Sequence, residues 1–127
     1  MEFVAIVRKN WRKMNYENKT TDGILEFKFS GDLIGENNGP ELMEIAQNEI
    51  MQGTKLCMID ISEVRYINSS GIGVLITILT KFRNKDGEVI LINPSEQVKK
   101  LLIITKLNAI FNIVDSREEA VNKLKQG

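Results

Sequence analysis

The sequence predicts a single α/β domain in which parallel strands are joined by helical crossovers, and three observations carry that expectation. Two short runs, residues 56–61 and 88–92, are apolar at nearly every position, the pattern of strands buried on both faces. The segments between them repeat apolar residues at helical spacing. Glycine, asparagine, serine and proline punctuate each change from one period to the other. With 127 residues and no linker or internal repeat, the chain is expected to be one domain with one core, spanning residues 1–127.

From the start of the chain, residues 3–7, led by Phe3 and Val4, and residues 13–17, around Met14 and Tyr16, are each candidate strands. Residues 1–20 are therefore expected to be an N-terminal extension or a first strand. Asn18 through Gly23 carries turn chemistry. Leu25, Phe27 and Phe29 then alternate with Glu26, Lys28 and Ser30, a strand with one wet face. Residues 31–39 read as a glycine-rich loop, and Pro40 suits the first turn of a helix over about 41–52 that buries Leu42, Ile45, Ala46 and Ile50. Gly53 closes it. The buried strand at 56–61 leads to a junction, Asn68-Ser69-Ser70-Gly71, and a helix from about Ile72 to Asn84. Asp86-Gly87 turns the chain into the strand at 88–92, which Asn93-Pro94-Ser95 stops. Ser95 caps a short helix carrying Val98, Leu101 and Leu102. Residues 111–114 form a last short strand. Ser116, with Glu119 three residues on, opens a final helix that buries Ala120, Val121 and Leu124.

Composition removes several classes of function. Seventeen acidic residues balance seventeen basic ones, so no global field draws the chain to nucleic acid. The basic pairs Arg8-Lys9, Arg12-Lys13 and Lys99-Lys100 read as solvated faces. No apolar run is long enough for membrane insertion, and the first residues lack a basic leader, so a cytoplasmic protein is expected. Cys57 lies inside the buried strand and reads as a small core hydrophobe. Histidine is absent, which removes serine–histidine and cysteine–histidine catalysis and most zinc chemistry. No phosphate-cradling Gly-rich loop or dinucleotide fingerprint is present, and Glu118 and Glu119 point apart on a helix. The chain is expected to be no enzyme and to use no cofactor or metal.

The junction is the most informative stretch. A serine at a helix start sits where backbone N–H groups lack partners and the helix dipole is positive, a place that welcomes a phosphate. A phosphorylation switch is one reading. The other is that Asn68, Ser69 or Ser70 merely caps the helix while Gly71 and Gly73 relax a tight turn. On a helical projection, Ile72, Leu75, Ile76, Leu79 and Phe82 cluster as the core face. Gly73, Thr77, Lys81 and Asn84 share the opposite side, with Val74 beside them, a small-residue face open to another chain.

At this point the sequence resembles the STAS domain family, and within it the bacterial anti-sigma-factor antagonists. The likeness runs from about Leu25 to Leu124. It rests on Phe29-Ser30-Gly31-Asp32-Leu33, on the segment from Ile59 through Asn68-Ser69-Ser70-Gly71-Ile72-Gly73 to Leu75, and on Val98 to Leu102 with Thr105, Leu107 and Phe111. The resemblance implies a mixed central sheet of about four to five strands with helices packed mainly on one side. It implies that Ser69 is phosphorylated by a cognate anti-sigma factor that is itself a serine kinase, and that a PP2C-type phosphatase resets it. Unphosphorylated, the antagonist binds the kinase and frees the sigma factor. Asn68, Ser70, Gly71, Gly73, Val74, Thr77 and Lys81 would then line the partner contact, with Asp32 and Glu36 as loop contacts. Asn68 stands where the family usually has aspartate, Ile34 where many members have a second acid, and Lys106 replaces a turn glycine. The first two departures remove negative charge near the acceptor and favour the alternative of an unphosphorylated scaffold in a signalling or transporter-associated complex. A pocket for a small molecule lined by residues 31–39 is a further alternative.

Overall fold

A computed structural model of the chain describes residues 15–126. The candidate strand at 3–7 and the basic pairs at 8–9 and 12–13 lie outside the described residues. Along the chain come β1 (Asn15–Thr21), β2 (Ile24–Leu33), α1 (Gly35–Met51), β3 (Leu56–Ile67) and α2 (Ser69–Arg83). They are followed by β4 (Glu88–Ile92), α3 (Glu96–Ile104), a 3-10 turn at Leu107–Ala109, β5 (Asn112–Val114) and α4 (Arg117–Gln126). The five strands form one sheet in the order β1-β2-β3-β4-β5. β1 is antiparallel to β2, and the other neighbours are parallel.

The mixed sheet follows from the connections. Asp22 and Gly23 both take positive φ, at 54° and 78°, the two-residue turn that keeps antiparallel strands twisted together. Only these two residues turn. Asn18–Thr21, expected as part of the turn, belongs to β1, where every residue except Tyr16 is exposed. β1 thus overlaps the candidate strand at 13–17 but runs on through Thr21; an edge strand needs no apolar period, so its polar second half read as turn. The parallel pairs need crossovers, and α1, α2 and α3 supply them on one face of the sheet. Phe27, Phe29, Cys57, Ile59, Ile61, Val89 and Leu91 meet Leu42, Ala46, Leu75, Ile78, Phe82, Val98 and Leu102 there. On the other face, α4 is the one helix among the described residues that covers Met58, Ile90, Ile92 and Val114, with Ala120 and Leu124.

Further boundaries differ from expectation, among them the start of α2, at Ser69 rather than about Ile72. β2 continues to Leu33 and α1 begins at Gly35, so the stretch 31–39 is mostly regular rather than a loop. Two register shifts against β3 and a positive φ of 88° at Gly31 let the strand keep pairing through a glycine-rich sequence. Pro40 therefore lies inside α1, not at its first turn. β3 runs to Ile67, six residues beyond the apolar run, because β2 pairs it as far as Leu33↔Ile67.

Burial pushes the Cys57 thiol well above its ordinary range. Since the folded state holds that proton more tightly, stability is full below the unfolded thiol's pKa of about 8.5 and falls as pH rises through it, by up to about 1.4 kcal/mol per unit. Alkylation of Cys57 is expected to track global unfolding. Labelling of the native chain by iodoacetamide at the rate of a free thiol would contradict this placement.

Candidate functional site

β3 hands over to α2 at Asn68, and the details of that handover decide which serine faces solvent. Asn68 is the helix cap: its Oδ1 accepts from the Gly71 backbone N–H at 2.8 Å and from the Ser70 hydroxyl at 2.9 Å. Capping needs an oxygen acceptor and no charge, so asparagine performs here what an aspartate would. The Ser70 hydroxyl in turn accepts from the Gly35 N–H at 3.0 Å, tying the start of α1 to the start of α2. Ser69, the first residue of α2, is exposed, and its hydroxyl enters no hydrogen bond among the described residues. The first turn of α2 holds no acidic residue, while Lys81 and Arg83 in its last turn complement the dipole.

Two expected contact residues prove structural. Gly71 is buried, and a Cβ there would collide with the Leu33 carbonyl oxygen. Val74 is also buried, lying under α1 where a Cβ on Gly39 would come within 3.3 Å of it. The cause is that α2 is covered on two sides, by the sheet and by α1. The buried arc is Gly71, Val74, Leu75, Ile78, Leu79 and Phe82. It swings toward α1 and leaves Ile76, expected in the core, 36% exposed. Lys81 is half-buried on the α1 flank and donates to Gln47 Oε1 at 3.2 Å. Gly73 has open space beside it and Thr77 is exposed, its hydroxyl donating to the Gly73 carbonyl at 2.7 Å. Ser69, Gly73, Ile76, Thr77 and Thr80 thus form one outward stripe.

Asp32 lies at the same carboxyl edge of the sheet, 3.6 Å from Arg65 in a solvent-exposed ion pair. Glu36 falls in α1, but its side chain lies outside the described residues. Sequence reasoning missed Gly35, whose N–H meets Ser70 from 35 residues away and leaves no local signal. Ile76 and Thr80 were legible as helix positions but not as surface, for want of knowing where α1 packs. Among the described residues no cluster of histidine, cysteine or carboxylates could hold a metal ion. No described helix is long and apolar enough to cross a membrane.

The cap can be tested alone. Asn68→Ala is expected to cost about 1 kcal/mol of stability, while Asn68→Asp keeps the acceptor and gains about 0.3–1 kcal/mol from the dipole. Thermal melts of the two variants should therefore bracket the wild type; a shift in the same direction for both would contradict the capping role.

This arrangement has counterparts. The family model for the STAS domain matches residues 15–120. An anti-sigma-B factor antagonist of Staphylococcus aureus is 27% identical over 105 residues, spanning 83% of this chain and 96% of the relative. The unphosphorylated anti-sigma factor antagonist SpoIIAA superposes with a TM-score of 0.75 at 20% identity, over 89% of this chain and 98% of that one. Phosphorylated SpoIIAA, a Bacillus cell fate determinant, gives 0.70 at 19% identity over 86% and 98%. At such identities the solved structures speak for the fold, which they share. With its sheet order, its three helices on one face and a family match across nearly all of the described residues, the chain belongs to the STAS domain family.

Proposed function

We propose that this chain is a cytoplasmic anti-sigma-factor antagonist, a binding module whose docking is switched by phosphorylation of Ser69. The observation that carries the reading is the contrast between two adjacent serines. Ser70 is locked between Asn68 and Gly35, while the Ser69 hydroxyl is exposed and unengaged among the described residues. Relatives that carry the name anti-sigma-B factor antagonist support the class of partner. The partner is an anti-sigma factor with serine kinase activity, and a PP2C-type phosphatase restores the free hydroxyl.

In this mechanism the partner seats on the outward stripe of α2, where Gly73 allows close approach and Ile76 offers an apolar contact. The hydroxyl of Ser69 attacks the γ-phosphorus of the kinase's nucleoside triphosphate. The O–P bond to the serine forms as the bond to the diphosphate breaks, and the proton passes to a base of the kinase. The new phosphate lies at the positive end of α2, with no acidic residue in the first turn to repel it, so the domain tolerates it. Neutral Asn68 keeps the cap without adding a competing charge.

Incubation with a serine-kinase anti-sigma factor of the same organism and ATP, followed by mass spectrometric mapping, tests the assignment. Phosphate is expected on Ser69 and to vanish in Ser69→Ala. Phosphate confined to Ser70, or none at all with tight kinase binding, would reject the switch and leave a docking module without modification.

A further inference from the structure

Beside the junction, a hollow opens between the end of β3 and α3. β4 stops pairing with β3 at Asp60↔Ile92 while β3 continues to Ile67, so its last residues have α3 for a neighbour instead of a strand. The space between them is about 260 Å³, with Tyr66 and Ile67 on one wall and Val98, Leu101 and Ile104 on the other. Tyr66 is 52% exposed and Ile104 76%, the most of any large hydrophobic among the described residues. Contiguous apolar surface flanked by charge marks a protein contact more often than idle surface. The charged groups here are of one sign: Arg65 lines the hollow from β3 and Lys100 from α3, and no acidic side chain lines it. Both cations are available. Arg65 lies 3.6 Å from Asp32 in a solvent-exposed pair of little strength. Lys100 enters no ion pair among the described residues, and Glu96, one turn earlier, lies 3.8 Å from Lys99.

We infer that this hollow docks an amphipathic helix of a partner protein, one whose apolar stripe is flanked on both sides by carboxylates. The volume falls below the roughly 300–1,000 Å³ of small-molecule pockets and suits side chains inserted from a neighbouring surface. Val98, Leu101 and Ile104 form one row at three-residue spacing, a ridge of the kind that packs into the groove of another helix. One cation on each wall calls for an acid on each side of the entering stripe. Charge also decides against the chain's own first residues as the occupant, since residues 1–14 carry Arg8, Lys9, Arg12 and Lys13 against Glu2. None of the residues around the hollow belongs to the contact assigned to the Ser69 switch, so its occupant is independent of that switch.

The probe is a synthetic peptide of three Leu-Glu-Ala-Leu-Leu-Ala-Glu repeats, whose helix carries a leucine stripe between two glutamate rows. Titrated into the isotope-labelled full chain, it should give saturable amide shifts confined to residues 65–67 and 97–104. Lys100→Glu and Ile104→Ser should each weaken binding about tenfold, both at exposed positions where the fold is not at stake. Lys85→Glu makes the same change in net charge at the far end of α2 and should leave binding unaltered. The same peptide with lysine for glutamate should bind the wild type at least tenfold more weakly and gain affinity for Lys100→Glu. Ser69→Ala should bind the probe as the wild type does, whatever the kinase assay returns. Absence of shifts with the acidic peptide, equal binding of the lysine peptide, or indifference to Lys100→Glu would each overturn the inference. Sedimentation with phosphatidylglycerol vesicles in place of peptide binding would overturn it too, and would make the surface a lipid contact.

Discussion

Gly71→Ala is expected to lower the stability of the fold by about 3 kcal/mol, and Gly73→Ala, two residues along the same helix, to raise it by about 0.5–1 kcal/mol. The two glycines look equivalent in the sequence, and the difference lies in what each faces. A methyl group at Gly71 would be driven into the Leu33 carbonyl oxygen and would approach the Ile67 side chain to 3.0 Å. The carbonyl belongs to the end of β2, which is paired to β3 on the line Leu33↔Ile67, so it cannot withdraw without breaking that register. Relief would require α2 to lift off the sheet edge. At Gly73 nothing lies within reach of the new methyl, and alanine reduces the backbone entropy that glycine loses in a helix. Urea denaturation of both variants checks the pair. Equal midpoints would mean that the close approach of α2 to β2 is not a constraint.

Phosphorylation of Ser69 should weaken docking of the anti-sigma factor about a hundredfold, equivalent to about 3 kcal/mol. The modification adds roughly −1.5 to −2 charges and three strong acceptors at an exposed position. Packed against a partner, that charge must either find a cation or be desolvated, and desolvation costs several kcal/mol. Ser69→Glu supplies a single charge on a shorter head group, so about a tenfold loss is expected from it. Ser69→Ala should bind as the unmodified chain does and stay insensitive to kinase and nucleotide. Calorimetric titration of the kinase with each form measures the series. If phosphorylated and unmodified chains bound equally, the stripe bearing Ser69 would not be the docking surface.

The parts of this molecule written in local pattern were legible, and the parts set by packing between distant segments were not. β3 and β4 declared themselves through Cys57–Ile61 and Val89–Ile92 because burial on both faces leaves Asp60 as the one polar position in the first run and none in the second. Caps were equally plain: Ser95 accepts from the Val98 N–H and Ser116 from the Glu119 N–H, each at 3.2 Å. The second half of β1, residues 18–21, was obscured because its ladder depends on β2 and its side chains face water. The start of α1 was obscured by glycines that look like loop but serve close contact, since a Cβ at Gly35 would strike the backbone of Ser70. For the site, the helix start, the cap and the serine pair could be named from residue types alone. Which serine is tied down and which side of α2 is outward depends on α1, and no feature near Ser69 in the chain reports where α1 lies.

The unequal lengths of β3 and β4 have a consequence for where the proposed modification would sit. β4 accompanies β3 only as far as Asp60↔Ile92, so the remainder of β3 projects past it like a pier, moored on one side by β2. On the other side Tyr66 and Ile67 line a hollow of about 260 Å³ together with Val98, Leu101 and Ile104 of α3. Ser69 stands exposed at the end of that projection, with Ser70 tied to Gly35 and Gly71 packed on Leu33 just behind it. A phosphate added there, as proposed, would be felt mainly by a docking partner, while the helix dipole that favours Asn68→Asp would raise the melting temperature of the modified chain modestly.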